Sequence, residues 1–453
     1  MEAIKRYFYR MNLLPLLLAC VFSSAYISVG SIAAGVTDPN VTLYPAPLPL
    51  QEAGTSFVDP VFGATIRRVS NRSDAGGRET HLYSQLQAFS SDNAYLLLGS
   101  DNGFIVRRLS DFSLVEGLDA SDWNCPRWHP AQPHVIIHYD GNNTGMGDTL
   151  VRVQFTNVDT LITTTVFTFP PEYNIIDVNR SWDEISKDGR WMAGVVASLY
   201  ENGDQKEQFI FAFDIQNNRL GAVVSLSSLY EGNGCPCQKD PTYGKLLPDW
   251  IGVSPLGRYL VLQWSDGTIR CKGLETWDLR TGSFAGRVYD GHQHGDLGVD
   301  VDGTTEYFIT FEMDGGPVHG QPSIGKRVLP GNDTVAQPTH LMAINWGLGQ
   351  HISCRGPNGT ALITCGVSPF NNTWDPFEDE LFFVRTNGSV LRFVHTRSSA
   401  CGYWSQPHAS ISRDGRYVVF ASDWCFGRGI SSCDKWGDEF GAADAYIIDL
   451  QKR

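Results

Sequence analysis

The sequence predicts an all-β fold, a seven-bladed β-propeller of four-stranded antiparallel blades, and three observations predict it. The chain is rich in turn formers, with 46 Gly and 23 Pro in 453 residues. Its apolar residues, 42% of the chain, fall into short runs of Val, Ile, Leu, Phe, Tyr and Trp, with no long amphipathic helix among them. One pattern then recurs: a polar turn, an aromatic, a β-branched or aromatic run and another turn. It appears in SSDNAYLLLGSDNG (90–103), SKDGRWMAGVVAS (186–198), SPLGRYLVLQWSDG (254–267), DVDGTTEYFITFEMDG (300–315) and SRDGRYVVFASD (412–423). Two degenerate copies, HPAQPHVIIHYDG (129–141) and DPFEDELFFVRTNG (375–388), bring the number to seven. A sheet repeated in this way buries its faces against its neighbours and protects its edges by closing a ring.

Residues 1–36 stand apart. Lys5, Arg6 and Arg10 precede an apolar stretch that ends in small residues, which reads as an export signal cut near Ala25 to Ala34. Two alternatives stay open: LLAC, ending at Cys20, has the form of a lipoprotein box, and the run is long enough to remain as a membrane anchor. Residues 37–453 form the propeller domain, with no linker dividing it. DPVFGATIRRVS (59–70) reads as a lone strand that pairs with the last blade and latches the ring. Within the blades, FAFDI (211–215), ETWDLRTG (275–282) and AYIIDL (445–450) read as third strands.

Eight Asn-X-Ser/Thr sequons, at Asn40, Asn71, Asn142, Asn179, Asn332, Asn358, Asn371 and Asn387, fit a secreted glycoprotein. Nine cysteines follow the leader, and outside the cell they are expected to form disulfides: Cys354 with Cys365 across a tight turn, and Cys425 with Cys433 around a loop. The CPC at 235–237 has zinc as its alternative, although no second pair stands at zinc spacing. The net charge of −14 argues against a nucleic-acid partner.

If each turn joins an innermost strand to the next, the residues leading into the turns gather at one mouth of the ring. The lead-in segments are HLYSQLQAFS (81–90), NCPRWHP (124–130), NRSWDEIS (179–186), LLPDWIGVS (247–254), GHQHGDLGVD (291–300), NNTWDPF (371–377) and SQPHASIS (405–412). They bring His81, Tyr83, Gln85, Arg127, Asp183, Asp249, His292, His294, Gln406 and His408 towards one place. His292, His294, Gln406 and His408 are the expected ligands of a divalent metal (Mn, Ca or Zn), since imidazole and amide oxygen suit such ions. Trp182, Trp250 and Trp374 each stand beside an Asp and read as sugar platforms or as packing between blades. Gln85, Asp183, Trp182, Asp249 and Trp250 are the expected substrate contacts.

The repeated S-x-D-G-R-Y turn before VVFASD, with Gln and His leading into the last blade, resembles the seven-bladed propeller polysaccharide lyases. Those enzymes act on oligogalacturonate, ulvan or rhamnosyl-glucuronate ends, and the propeller resemblance covers nearly all of residues 55–453. In the oligogalacturonate branch several His and one Gln hold a metal. Gln406, His408 and a His of GHQHGD match that set, while a second His of the last-blade motif is absent. The resemblance implies a secreted, monomeric, metal-assisted lyase that cleaves an acidic poly- or oligosaccharide by β-elimination. In such a reaction Arg127 would neutralise the uronate carboxylate, with Tyr83 and His81 as base and acid. Two other functions stay open: a non-catalytic binding or scaffold propeller, and a glycoside hydrolase using a carboxylate pair such as Asp183 and Asp249. No G-x-S-x-G element is present, which excludes a propeller peptidase with a serine nucleophile elbow.

Overall fold

The computed structural model describes residues 35–451 apart from 76, 142–149, 179, 200–204, 232–247, 265–272, 313–321, 332–337, 345–348, 366–374, 401 and 426–442. The leader, four sequons (Asn142, Asn179, Asn332, Asn371), Trp374 and Cys235, Cys237, Cys271, Cys401 and Cys433 lie outside the described residues. Among the described residues no helix is long and apolar enough to cross a membrane.

Seven antiparallel blades follow one another. The first is built on Tyr95–Ser100 and Gly103–Arg108, flanked by bridges at Phe89 and Leu114. Five blades of four consecutive strands come next, beginning at Asn124–Trp128, Ile175–Ile176, Pro248–Val253, Gly295–Val299 and Gly349–Ser353. The seventh runs from Ser410–Ile411 through Tyr417–Ser422 to Asp444–Asp449.

The turn pattern has a physical cause. In Ser-x-Asp-Gly the Asp188 carboxylate accepts from the Ser186 hydroxyl at 2.6 Å and from the Arg190 amide at 3.0 Å, while Ser186 Oγ accepts the Trp191 amide at 2.9 Å. Gly189 supplies the φ of 74° that closes the turn. Ser412, Asp414, Gly415 and Tyr417 repeat the same bonds in the last blade. The strands launched this way bury apolar faces between blades: Trp191, Ala193 and Val195 of the third blade pack on Ile251, Leu260, Leu262 and Trp264 of the fourth.

The N-terminal strand does close the last blade. Thr65–Arg68 pairs antiparallel with Asp444–Asp449, Ile66 opposite Ile448, and Ser56–Val58 adds one strand outside it. Residues 36–51 then run as a strap over the sixth and seventh blades. Its backbone carbonyls are taken up by side chains: Arg392 reaches Val41 O at 2.7 Å, Arg397 reaches Ala46 O at 2.6 Å, and Trp424 reaches Leu48 O at 2.9 Å. Beyond the single bridge of Val36 with Arg392, side chains thus satisfy acceptors of a segment that lies in no strand.

Two sequence expectations are corrected here. The sixth blade begins at Gly349–Ser353 and turns at Arg355–Gly359, so Glu380–Arg385 is its third strand rather than its second; residues 375–377 precede that third strand, and 371–374 lie outside the described residues. Cys354 is a buried free thiol, not half of a disulfide with Cys365. Cys365 is opposite Gly349 in the hairpin while Cys354 follows Ser353, itself opposite Leu362. At about 3.3 Å per residue this holds the two far beyond disulfide reach.

Candidate functional site

The inner ends of several blades enclose a cavity of about 540 Å³. Its densest part is aromatic and imidazole. The rings of His294 and His351 stack at 4.8 Å, and His351 lies 4.2 Å from His408. Tyr83 closes on both, at 5.2 Å from His351 and 5.1 Å from His408, and Tyr403 stands 4.7 Å from His408. His351 Nε2 donates to Gln406 Oε1 at 2.8 Å, and Gln85 Nε2 donates to Gly295 O at 2.7 Å, which ties the first blade to the fifth.

Local backbone explains the placement of His408. The short turn Tyr403–Ser405 ends at Gln406, and His408 itself takes a φ of 43°, a conformation uncommon for a residue with a side chain. Its carbonyl is held by a short bond from His81 Nε2. Strain of this kind persists where the surroundings over-determine it, and it aims the imidazole at His351.

Burial keeps the imidazoles of His81, His351 and His408 neutral. His351 is pushed down to about 3 by burial, with His294 and His81 adding to it; His81 is pushed down to about 4 by burial, and His408 falls well below the usual range for the same reason. Burial and the neighbouring Tyr403 raise Tyr83, so its phenol stays protonated.

Such a group suits a divalent ion. Neutral imidazole presents a lone pair, and His351 Nδ1 and His408 Nε2 are buried without a hydrogen-bond partner, an arrangement that a bound ion would satisfy. Among the described residues no three His, Cys, Asp or Glu side chains are already converged on one point, so the donor set is assembled in close quarters rather than closed. Its members are His294, His351, His408 and the amide of Gln406.

The predicted residues divide into those that line the cavity and those that do not. Tyr83, Gln85, Trp182, Asp249, Trp250 and His294 line it. Gln406 and His408 join through His351. His81 does not line it and acts on the site through His408. His292 is placed differently from expectation: the strand starts only at Gly295, so no pleat aligns His292 with His294, and its Nε2 sits 3.0 Å from Asp249 Oδ2.

Arg127 and Asp183 are also corrected. Arg127 is 2% exposed and bonds through short contacts to the carbonyls of Ser181 and Asp183. Asp183 is buried, accepts the Val253 amide at 2.9 Å and faces Arg355 at 3.8 Å. It therefore cannot share one sugar bond with Asp249 as a hydrolase pair requires.

Four residues escaped the sequence reading: His351, Arg78, Tyr403 and Trp404. His351 sits in QHISCRGPNGTALITC, whose Pro-Asn-Gly turn was the available signal for a lead-in segment. Arg78 precedes the repeated unit altogether; it lines the cavity with its guanidinium 3.7 Å over Trp404 and donates to Ser100 O at 2.8 Å.

No protein-family model matches the chain, and no curated protein matches it. Among solved structures it is similar to an oligogalacturonate lyase from Vibrio parahaemolyticus, with a TM-score of 0.57 and 12% identity over 88% of this chain and 97% of that one. It is likewise similar to an oligogalacturonate lyase in complex with manganese, with a TM-score of 0.56 and 12% identity over 90% of this chain and 98% of that one. At this identity the likeness is one of fold.

Proposed function

We propose that the protein is an exported lyase that cleaves a uronate-containing oligosaccharide by β-elimination with the help of a divalent metal. The observation that carries this reading is the convergence of His294, His351, Gln406 and His408 with Tyr83 and Arg78 around one cavity. The fold shared with two oligogalacturonate lyases, one of them bound to manganese, supports it. A metal held by the three imidazoles and the amide would draw charge from the uronate carboxylate and so acidify the proton at C5.

The chain's own groups supply the rest. Arg78 offers the carboxylate a second cation, with Trp404 fixing the plane of the guanidinium. Proton transfer falls to the two phenols beside His408: Tyr83, held protonated, gives its proton to the departing glycosidic oxygen, and Tyr403, whose pKa burial raises although Arg78 opposes it, takes the C5 proton once its own proton has passed to water. The C4–O bond breaks as the C4–C5 double bond forms, leaving an unsaturated uronate. Both phenols line the cavity.

The test is ultraviolet absorbance of that unsaturated product on a panel of uronate oligosaccharides, with and without chelator, for the wild type and His351→Ala. The expected result is a signal abolished by chelator and lowered at least about 100-fold in the variant, together with loss of bound metal. Absence of signal on every substrate, or an unchanged metal content in His351→Ala, would remove the centre of the reading and leave the binding propeller in its place.

A further inference from the structure

We infer that residues 81–88 form a crosspiece that sets the spacing of the imidazole ligands, with His81 and Gln85 as positioning residues that act through the backbone of other blades. This rests on the metal centre of the reading above and names what tunes it.

The inner strand of the first blade is interrupted. Thr80 pairs with Gly99 and Phe89 bridges Leu96, so residues 81–88 stand opposite only Leu97 and Leu98. Residues that a ladder has no room for must leave it. Here they cross to blades that the first blade does not adjoin, and those blades take up their polar groups. Gln85 Nε2 donates to Gly295 O of the fifth blade at 2.7 Å, and the Gln87 amide donates to Glu184 Oε2 of the third at 2.7 Å. Three bonds join the seventh: His81 Nε2 donates to His408 O, Gln87 Nε2 donates to Ile411 O at 3.1 Å, and Leu86 O accepts from Ser410 Oγ at 2.8 Å.

Two of these bonds bear directly on the ligand set. His408 is held at a φ of 43°, and the bond from His81 fixes the carbonyl of that same residue. His81 is buried and neutral, with its pKa pushed down to about 4, so facing a carbonyl oxygen puts its one ring proton on Nε2. Gln85 grips the residue after His294, whose own carbonyl accepts from Thr310 Oγ1 at 2.8 Å. The fifth and seventh blades are not neighbours in the ring, and this one segment bonds to both.

The experiment measures Mn2+ affinity by calorimetry for chelator-stripped wild type, His81→Met, His81→Gln and Gln85→Met, beside the urea midpoint of each. His81→Met and Gln85→Met lack the donor and are expected to weaken Mn2+ binding about 10- to 100-fold, while His81→Gln, whose amide nitrogen can stand where Nε2 stood, is expected within about threefold of wild type. Midpoints that fall while Mn2+ affinity holds would make both residues merely structural and overturn the inference. So would a His81→Gln that binds no better than His81→Met. If His81→Met fails to fold, Gln85→Met decides by the same measure. If the wild type itself binds no Mn2+, the metal of the lyase reading fails, and metal-free crystal structures of wild type and Gln85→Met test the positioning alone. The 4.8 Å between the His294 and His351 rings is then expected to change by about 1 Å, and rings that superpose overturn the inference.

Discussion

A buried guanidinium and a cavity-lining one are told apart by their acceptors, and Arg127 and Arg78 make the contrast. Arg127 spends its donors on the carbonyls of Ser181 and Asp183 and lies 5.5 Å from the Tyr139 ring, so it staples the second blade to the third. Arg127→Ala is expected to cost about 2–4 kcal/mol of stability, because two buried carbonyls lose their donor and a large side chain leaves a void. Urea unfolding checks this, and the folded fraction of the variant is expected to keep its kcat. Arg78→Gln is expected to behave the other way, losing about 100-fold in kcat/KM with a midpoint near that of the wild type. The sequence could not separate the two. A period-2 reading of NCPRWHP sends Arg127 and His129 to the channel, but the register shifts between Asn124 and Arg127, where Cys125 takes a φ of 49°. A bulge of this kind resets which face each later residue occupies. Arg78 was invisible for a different reason: it belongs to no repeat, and only the closed ring brings it to the mouth.

At the level of strands and turns the sequence was far more legible, because Ser-x-Asp-Gly turns are self-contained and hold wherever they occur. Six of the seven lead-in segments stand where the turns put them, and the latch strand pairs as its lone apolar run implied. The sixth blade slipped by one hairpin since ELFFVR, a third strand, carries the same buried apolar run as a second strand, while TALITC follows a Pro-Asn-Gly turn without the Asp. His351 was lost with that slip. Turns also join blades to one another. His134, just ahead of the strand Val135–Asp140, lies 2.9 Å from Asp92 of the first blade and bonds Asp159 of its own, which also accepts from Tyr95 at 2.5 Å. Burial works against charge on His134, but the bonds to both carboxylates outweigh it and its pKa is raised. The clip's stabilisation is therefore complete below the unfolded His value of 6.5 and lost as pH rises through the raised folded value. Asp92 and Asp159, whose pKa values are lowered, lose their part only as pH falls through those lowered values. The melting-temperature difference between wild type and His134→Gln is thus expected to be larger at about pH 5.5 than at about pH 8.5. Equal differences would remove the clip as a source of stability.

The ring is closed twice, at its rim by the latch and on its axis by charge. Glu184 of the third blade accepts the Gln87 amide of the first at 2.7 Å and pairs with Arg413 of the seventh at 3.1 Å. Arg355 of the sixth bonds Asp296 of the fifth at 2.9 Å and faces Asp183 of the third, which in turn accepts the Val253 amide of the fourth. Six blades thus meet through side chains that are buried except for the half-buried Arg413. Closing a ring by ions carries a desolvation cost, and Asp183 bears it: burial, opposed by Arg355, pushes its pKa up to about 7 from 3.8. Between those two values the folded protein holds a proton that the unfolded chain has lost, so this residue lowers stability progressively as pH rises from about 4 to about 7. Asp183→Asn keeps the Val253 bond and has no charge to bury, while Arg355 retains Asp296. Whatever the substitution costs in packing is the same at every pH, and Asp379, likewise raised to about 7, cancels because both proteins carry it. The stability of wild type relative to Asp183→Asn is therefore expected to fall between pH 5 and pH 8, read by urea unfolding at each. A difference that stays flat, or rises, would mean that Asp183 is ionised throughout and that Arg355 binds it as firmly as it binds Asp296.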